Sequence, residues 1–182
     1  MKIVFQGKTK TGKEIVVRYP EMGDLIQMLN FINSVSDEKT FITYQGEHET
    51  LESEEKYLIK RLGEINEKRT VQLLAFCGNE LVGSSYIQLM DKTEKHVGVF
   101  GLIVSKEFRG EGVGKILMEL VEKEAKKNLP RLKLITLQVY STNEIARSLY
   151  KKRDFVEYGM LPKGITRTGK FEDAVLMYKD II

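Results

Sequence analysis

At 182 residues the chain is long enough for one domain with a full core and short for two. Apolar residues make up 42% and charged residues 30%, the balance of an ordinary folded globular protein. A net charge of +3, with its lysines and arginines interspersed among acids, is too slight to argue for a nucleic-acid partner.

Cys77 is the only cysteine, so no internal disulfide forms, which fits a reducing interior. Cys77 has no adjacent base or electropositive pocket and reads as an ordinary thiol. There is no apolar run of transmembrane length and no signal-peptide pattern. The expectation is one cytoplasmic domain over residues 1–182, with no membrane partner.

Taken in order, Ile3 to Phe5 and Glu14 to Arg18 flank Thr11-Gly12 as a hairpin or a first strand with a short lead-in. A helix starts across Pro20 to Asp24, with Leu25, Ile26, Leu29 and Ile32 expected inward. Val35 to Glu49 lacks periodicity and is rich in acids and rings. A second helix from Ser53 to Ile65 carries Tyr57, Leu58, Leu62 and Ile65 on its inner face. Val71 to Phe76 and Leu81 to Leu89 form strands around the Gly78-Asn79 turn.

The run from Val99 to Lys115 is the most informative. An apolar, β-branched strand ends near Val104, and Arg109-Gly110-Glu111-Gly112-Val113-Gly114-Lys115 leads at once into a helix with Val113, Ile116, Leu117, Leu120 and Val121 on one face. That layout aims successive N–H groups and the positive end of a helix dipole at one spot. The glycines keep side chains out of the way, and Arg109 and Lys115 add positive charge, so the loop is suited to a pyrophosphate. A Walker A loop fails because Arg109 holds its first glycine position and Ile116 follows the lysine. The dinucleotide fingerprint fails because Lys115 holds its third glycine position. Arg109, Gly112 and Gly114 satisfy Arg-x-x-Gly-x-Gly.

After the helix stops at Asn128-Leu129-Pro130, Leu132 to Tyr140 forms a second buried strand, parallel to the first by the crossover rule. A short capped helix, Ser141 to Tyr150, follows. Val156 to Met160 and Phe171 to Tyr178 close the chain as strands, with Leu161 to Lys170 between them as a polar loop.

Arg-x-x-Gly-x-Gly after a buried strand, and then Asn143-x-x-Ala146-x-x-Leu149-Tyr150 with Phe155 beyond, together resemble the GNAT superfamily of acetyl-CoA-dependent N-acetyltransferases. The order of elements matches along the whole chain. The resemblance implies an α/β (α+β) fold. Its mixed, mostly antiparallel sheet would have about seven strands and a central parallel splayed pair, flanked by about four helices. It implies acetyl-CoA as co-substrate, its pantetheine arm pairing with the splayed strand around Leu102, Ile103 and Val104. The pyrophosphate would lie on the amides from Arg109 through Gly110, Glu111, Gly112, Val113 and Gly114 to Lys115. Asn143 would bond the pantetheine arm, and Tyr150 would donate a proton to the departing CoA thiolate. The residues alone also allow Asn143 to be a plain helix cap and Tyr150 a core tyrosine. Asp154 stands where the family usually has glycine, and aspartate tolerates left-handed backbone angles better than most residues.

The implied function is acetyl transfer to a primary amine, from a small molecule or a protein N-terminus or lysine, in a ternary complex and without a metal. The alternative is a non-catalytic acetyl-CoA or CoA sensor of the same fold. The family also implies a homodimer. The general base is open: His96 shares the strand parity of Gly98 and Phe100, where some relatives place a base, while Glu38, Glu47, His48, Glu49 and a water chain are the alternatives.

Overall fold

A computed structural model describes residues 2–181. Its elements run β1 (Ile3–Lys8), β2 (Glu14–Arg18), α1 (Leu25–Asp37), α2 (Leu51–Asn66), β3 (Thr70–Cys77), β4 (Glu80–Leu89), β5 (Val97–Val104), α3 (Val113–Asn128), β6 (Leu134–Tyr140), α4 (Glu144–Lys151), β7 (Val156–Arg167) and β8 (Lys170–Asp180). The strands form one eight-stranded sheet in the order β1-β2-β3-β4-β5-β6-β8-β7. Every neighbouring pair is antiparallel except β5 and β6, the parallel pair that the α3 crossover requires.

Two apolar clusters flank the sheet because successive strand residues point to opposite faces. Ile87, Phe100, Leu117, Val121, Ile135 and Met177 belong to the cluster under α3 and α4. Met28, Phe31, Val35, Leu58, Leu74 and Phe76 form the other, under α1 and α2. Leu117 and Leu58 are fully buried, and each such side chain contributes about 1.5–3 kcal/mol.

Several expectations change in detail. Eight strands replace about seven, since both N-terminal segments pair as β1 and β2. The segment expected as a polar loop is mostly strand: Leu161 pairs with Ala174 and Ile165 with Glu172. β7 lies at the sheet edge and both its faces are largely exposed, so past Met160 its sequence carries no apolar alternation. In α1 the buried stripe is Met28, Phe31 and Val35, while Ile26 is 55% exposed. A single 3-10 turn over Met22–Asp24 delays the helix and rotates its inner face. Asp24 is itself buried, joined to Arg18 through both oxygens at 2.5 and 2.7 Å. Asp154 takes the left-handed φ of +67° that its place in the family pattern demands.

Candidate active site

The site begins with a fork in the sheet. β5 and β6 pair only over Val97–Leu134, Gly98–Ile135 and Val99–Thr136, and both strands continue beyond this without pairing each other. Which backbone groups the fork leaves open follows from the outer pairings. Val97 accepts from the Met90 N–H, and Val82 accepts from the Ser105 N–H, so the odd-numbered β5 residues turn their N–H and C=O toward β4. Phe100, Leu102 and Val104 therefore turn theirs into the fork. By the same alternation, the Ser141–Asp173 and Ile181–Lys133 bonds place the backbone groups of Gln138 and Tyr140 on the opposite wall. Ile103 sends its backbone to Ser84 and its side chain to the α1–α2 face, so of the three strand residues expected to pair, Leu102 and Val104 face the fork.

At the fork's open end stands the glycine loop. The first bond into α3 is Ile116 N–H to the Gly112 oxygen, at 3.1 Å, which leaves the N–H groups of Val113, Gly114 and Lys115 presented at the helix mouth. Gly110 and Gly112 have φ of +78° and +91°, a conformation that glycine adopts without cost. A Cβ on Gly112 would come no nearer than 3.8 Å to any protein atom outside the adjoining residues, so the protein leaves that volume open. The β1–β2 turn clamps the loop: Lys10 N–H donates to the Glu111 oxygen, and Thr11 donates from both N–H and Oγ1 to the Glu111 carboxylate. This lowers the Glu111 pKa and turns its charge away from the amides. Arg109 does not point at the helix mouth. Its Nε bonds the Val104 oxygen at 3.0 Å, and its Nη2 pairs with Glu38 at 2.5 Å.

α4 forms the other wall. Asn143 Oδ1 accepts from Ala146 N–H at 3.1 Å, capping the helix, and its Nδ2 is free to donate. Tyr150 is buried, packed edge-on against Phe100 with centroids 5.8 Å apart and beside Phe155 at 6.0 Å. Its hydroxyl has no hydrogen-bond partner among the described residues, and burial pushes its pKa up to about 12. Asn143, Tyr150, Leu102, Val104, Gly112 and Lys115 all line one cleft of about 2010 Å³.

His96 is not brought to this cleft. It is exposed, and its carbonyl is taken by Lys133 and Leu134 N–H groups at the paired end of β5 and β6, away from where the strands part. His48 is exposed as well and pairs with Asp37.

The sequence reading missed the chamber on the α1–α2 side of the cleft. Thr50 and Ser53 cap α2 reciprocally, and the helix then buries Glu54, Leu58, Arg61 and Glu64 on its inner face. Glu54 is 6% exposed, lines the cleft and forms no side-chain hydrogen bond or ion pair among the described residues. Burial, with the nearby Glu49 charge adding to it, raises its pKa to about 7. Tyr86 reaches across β5: a Cβ on Gly101 would lie 2.6 Å from Tyr86 Cζ and 2.9 Å from its hydroxyl. Buried carboxylates at helical spacing on α2 were the available signal, but charges in a helix ordinarily read as a solvated face.

Among known proteins, the acetyltransferase (GNAT) family model matches residues 32–155. The L-amino acid N-acetyltransferase AaaT of Escherichia coli (strain K12) is 32% identical over 108 residues, covering 58% of this chain and 65% of the relative, just under two thirds of its length. A GNAT-family acetyltransferase structure from Streptococcus pneumoniae superposes with TM-score 0.84 at 28% identity, covering 93% of this chain and all of that one. The spermidine N-acetyltransferase of Vibrio cholerae, solved with CoA and spermine, shares the fold with TM-score 0.75 at 22% identity, covering 91% and 95%. The sheet fork and the glycine loop lie inside the matched span, which exceeds half of the chain, and the chain belongs to the acetyltransferase (GNAT) family.

Proposed function

We propose that the protein transfers the acetyl group of acetyl-CoA directly to a primary amine bound in the same cleft. The observation that carries the proposal is the fork. It leaves the N–H and C=O of Leu102 and the N–H of Val104 without strand partners, the Val104 oxygen being taken by Arg109 Nε, and such open groups seek a partner when a ligand excludes water. An extended amide-bearing arm supplies one by adding itself as a strand. The amides of Val113 to Lys115 and the open volume beside Gly112 suit the diphosphate of the same molecule. Asn143, whose Oδ1 caps α4 while the residue lines the opposite wall, would donate to the arm from Nδ2. The Vibrio relative, solved with CoA, supports the cofactor class.

When bound, acetyl-CoA supplies an activated thioester. The chain's contribution is to orient that group, exclude water from it and manage protons. Tyr150 keeps its proton at neutral pH because its hydroxyl pKa is pushed up, and it lines the cleft where a thiolate would depart. Holding that proton in reserve is what a general acid must do. Cys77 is not among the cleft-lining residues, so direct attack by the amine is favoured over a cysteinyl intermediate.

The test combines calorimetry of acetyl-CoA binding with a thiol assay of CoA release across a panel of amines, amino acids and peptides. Binding together with amine-dependent release is the expected result. Binding without release on any panel member would overturn the transferase in favour of a sensor, and a folded protein that does not bind would overturn both.

A further inference from the structure

The cleft separates charge along its length. On the glycine-loop side Lys10 and Lys115 line it without ion pairs among the described residues, whereas the lining arginines Arg61, Arg109 and Arg153 are paired with Glu64, Glu38 and Glu119. On the α2 side, Glu49 and Glu54 are the lining acids with no cation beside them among the described residues. Glu49 is held in place, accepting from the Tyr44 hydroxyl at 2.7 Å and from Ser53 Oγ at 2.5 Å. Glu54 has no hydrogen-bond or ion-pair partner among the described residues and is more than nine-tenths buried. A carboxylate does not stay ionised in such a place unless something positive joins it.

A second, independent feature points the same way. Gln72, 3% exposed, donates from Nε2 to Ser84 Oγ at 3.2 Å, while its Oε1 is buried with no hydrogen-bond partner among the described residues. Gln72 and Ser84 both line the cleft. The chamber thus holds a spare amide oxygen and a spare carboxylate, both acceptors, and a strong donor would satisfy them.

Among the described residues, the cation in this chamber, Arg61, is already occupied. Arg61 donates from Nη1 to Gln88 at 3.0 Å and to Glu64 at 3.2 Å, and from Nη2 to the Tyr57 hydroxyl at 3.2 Å. Its guanidinium lies between the Tyr57 and Tyr86 rings, and its Nε is buried. No accessible fork of N–H groups remains for a substrate carboxylate.

We infer that the acceptor is an alkyl ammonium with no adjacent carboxylate, seated between Glu54 and Gln72, and that Glu54 takes its proton before attack. This deepens the transferase reading and rests on it. The ammonium gives one proton to the Glu54 carboxylate. The neutral nitrogen then forms the C–N bond to the thioester carbonyl carbon as the C–S bond breaks. The thiolate takes the Tyr150 proton, the second proton leaving the nitrogen restores Tyr150, and Glu54 returns its own to solvent. The groups that act on Glu54 are Glu49 and Tyr44 from the α1–α2 loop, while Tyr57 and Arg61 from its own helix and Tyr86 from β4 line the same cleft. Of these, Glu49 raises the Glu54 pKa by repulsion, and an incoming ammonium relieves it.

The same chemistry is offered by a free alkylamine or diamine and by a lysine side chain, so the panel contains butylamine, cadaverine, a lysine-containing acetyl-capped peptide and α-amino acids. Amine-dependent CoA release and calorimetric binding of each amine are measured for the wild type, Glu54→Gln and Glu54→Asp. Carboxylate-free amines are expected to exceed their α-amino-acid counterparts at least about tenfold in kcat/KM. Glu54→Gln is expected to lose about 100- to 1,000-fold in acceptor kcat/KM, with acetyl-CoA binding unchanged and partial rescue by aspartate. The limb of the wild-type pH profile near 7 should vanish in the glutamine variant. Undiminished kcat/KM in Glu54→Gln, or a preference for α-amino acids, overturns the inference. If acetyl-CoA does not bind, the transferase reading fails instead, and Glu54-dependent binding of butylammonium still decides whether the chamber is an ammonium site.

Discussion

Replacing Glu54 by glutamine should make the protein more stable at alkaline pH. The change preserves side-chain shape and removes a group whose pKa rises from 4.5 to about 7 on folding. An acid with a raised folded-state pKa holds a proton that the unfolded chain has released, so wild-type stability falls as pH rises through that window and the full cost is present above it. At about 1.4 kcal/mol per pKa unit the ceiling is about 3 kcal/mol, and water entering the open cleft reduces this to about 1–2 kcal/mol. Urea unfolding of both proteins at about pH 5 and about pH 8 measures it. Relative to wild type, Glu54→Gln should gain about 1–2 kcal/mol between the two conditions. Parallel stabilities within about 0.5 kcal/mol at both pH values would refute the claim that Glu54 is desolvated in the free protein.

Two further substitutions separate the parts of the site, and a third probes the buried ion pair that anchors the start of α1. Tyr150→Phe should slow turnover by about 100- to 10,000-fold while leaving acetyl-CoA affinity near wild type, because the hydroxyl has no hydrogen-bond partner among the described residues to lose; unchanged turnover removes Tyr150 from the chemistry. Gly112→Val should abolish acetyl-CoA binding by calorimetry and cost about 1–2 kcal/mol of stability, since a β-carbon enters the open cradle volume at a φ of +91°. Asp24→Ala should cost about 3–5 kcal/mol in urea unfolding, because it strands the Arg18 guanidinium beneath α1, and a loss below about 1 kcal/mol would contradict that burial.

Local chemistry made one half of the site readable in the sequence. Gly110, Gly112 and Gly114 mark a backbone left bare of side chains, and the spacing from Asn143 to Tyr150 sets both on one wall of a cleft. The fork itself follows from the parallel crossover and the early end of pairing at Val99, which only the family pattern foretold. The acceptor side was hidden for the opposite reason. Glu54 and Arg61 fall at core positions of α2, and a buried acid on a helix is indistinguishable in sequence from a solvated one. His96 shared the parity of the central strand, yet parity fixes only a face, and its position along the strand places it beyond the paired end. β7 was unreadable past Met160 because an edge strand with Pro162, Lys163 and Gly164 has the composition of a turn.

The fork also makes the sheet mechanically uneven. β1 to β5 and β6 to β8 form two half-sheets whose strands join through three residue pairs. A ligand arm bridging Leu102 and Val104 to the Gln138–Tyr140 wall would act as a non-covalent staple across that seam. Stabilisation of about 2.7 kcal/mol is available when the ligand is present at 100 times its dissociation constant. Amide hydrogen exchange should register the staple on both halves at once, slowing at Leu102 and Val104 and at Gln138 and Tyr140 when acetyl-CoA is added. Slowing confined to the β5 half would mean that the arm grips one strand alone and leaves the seam free to breathe.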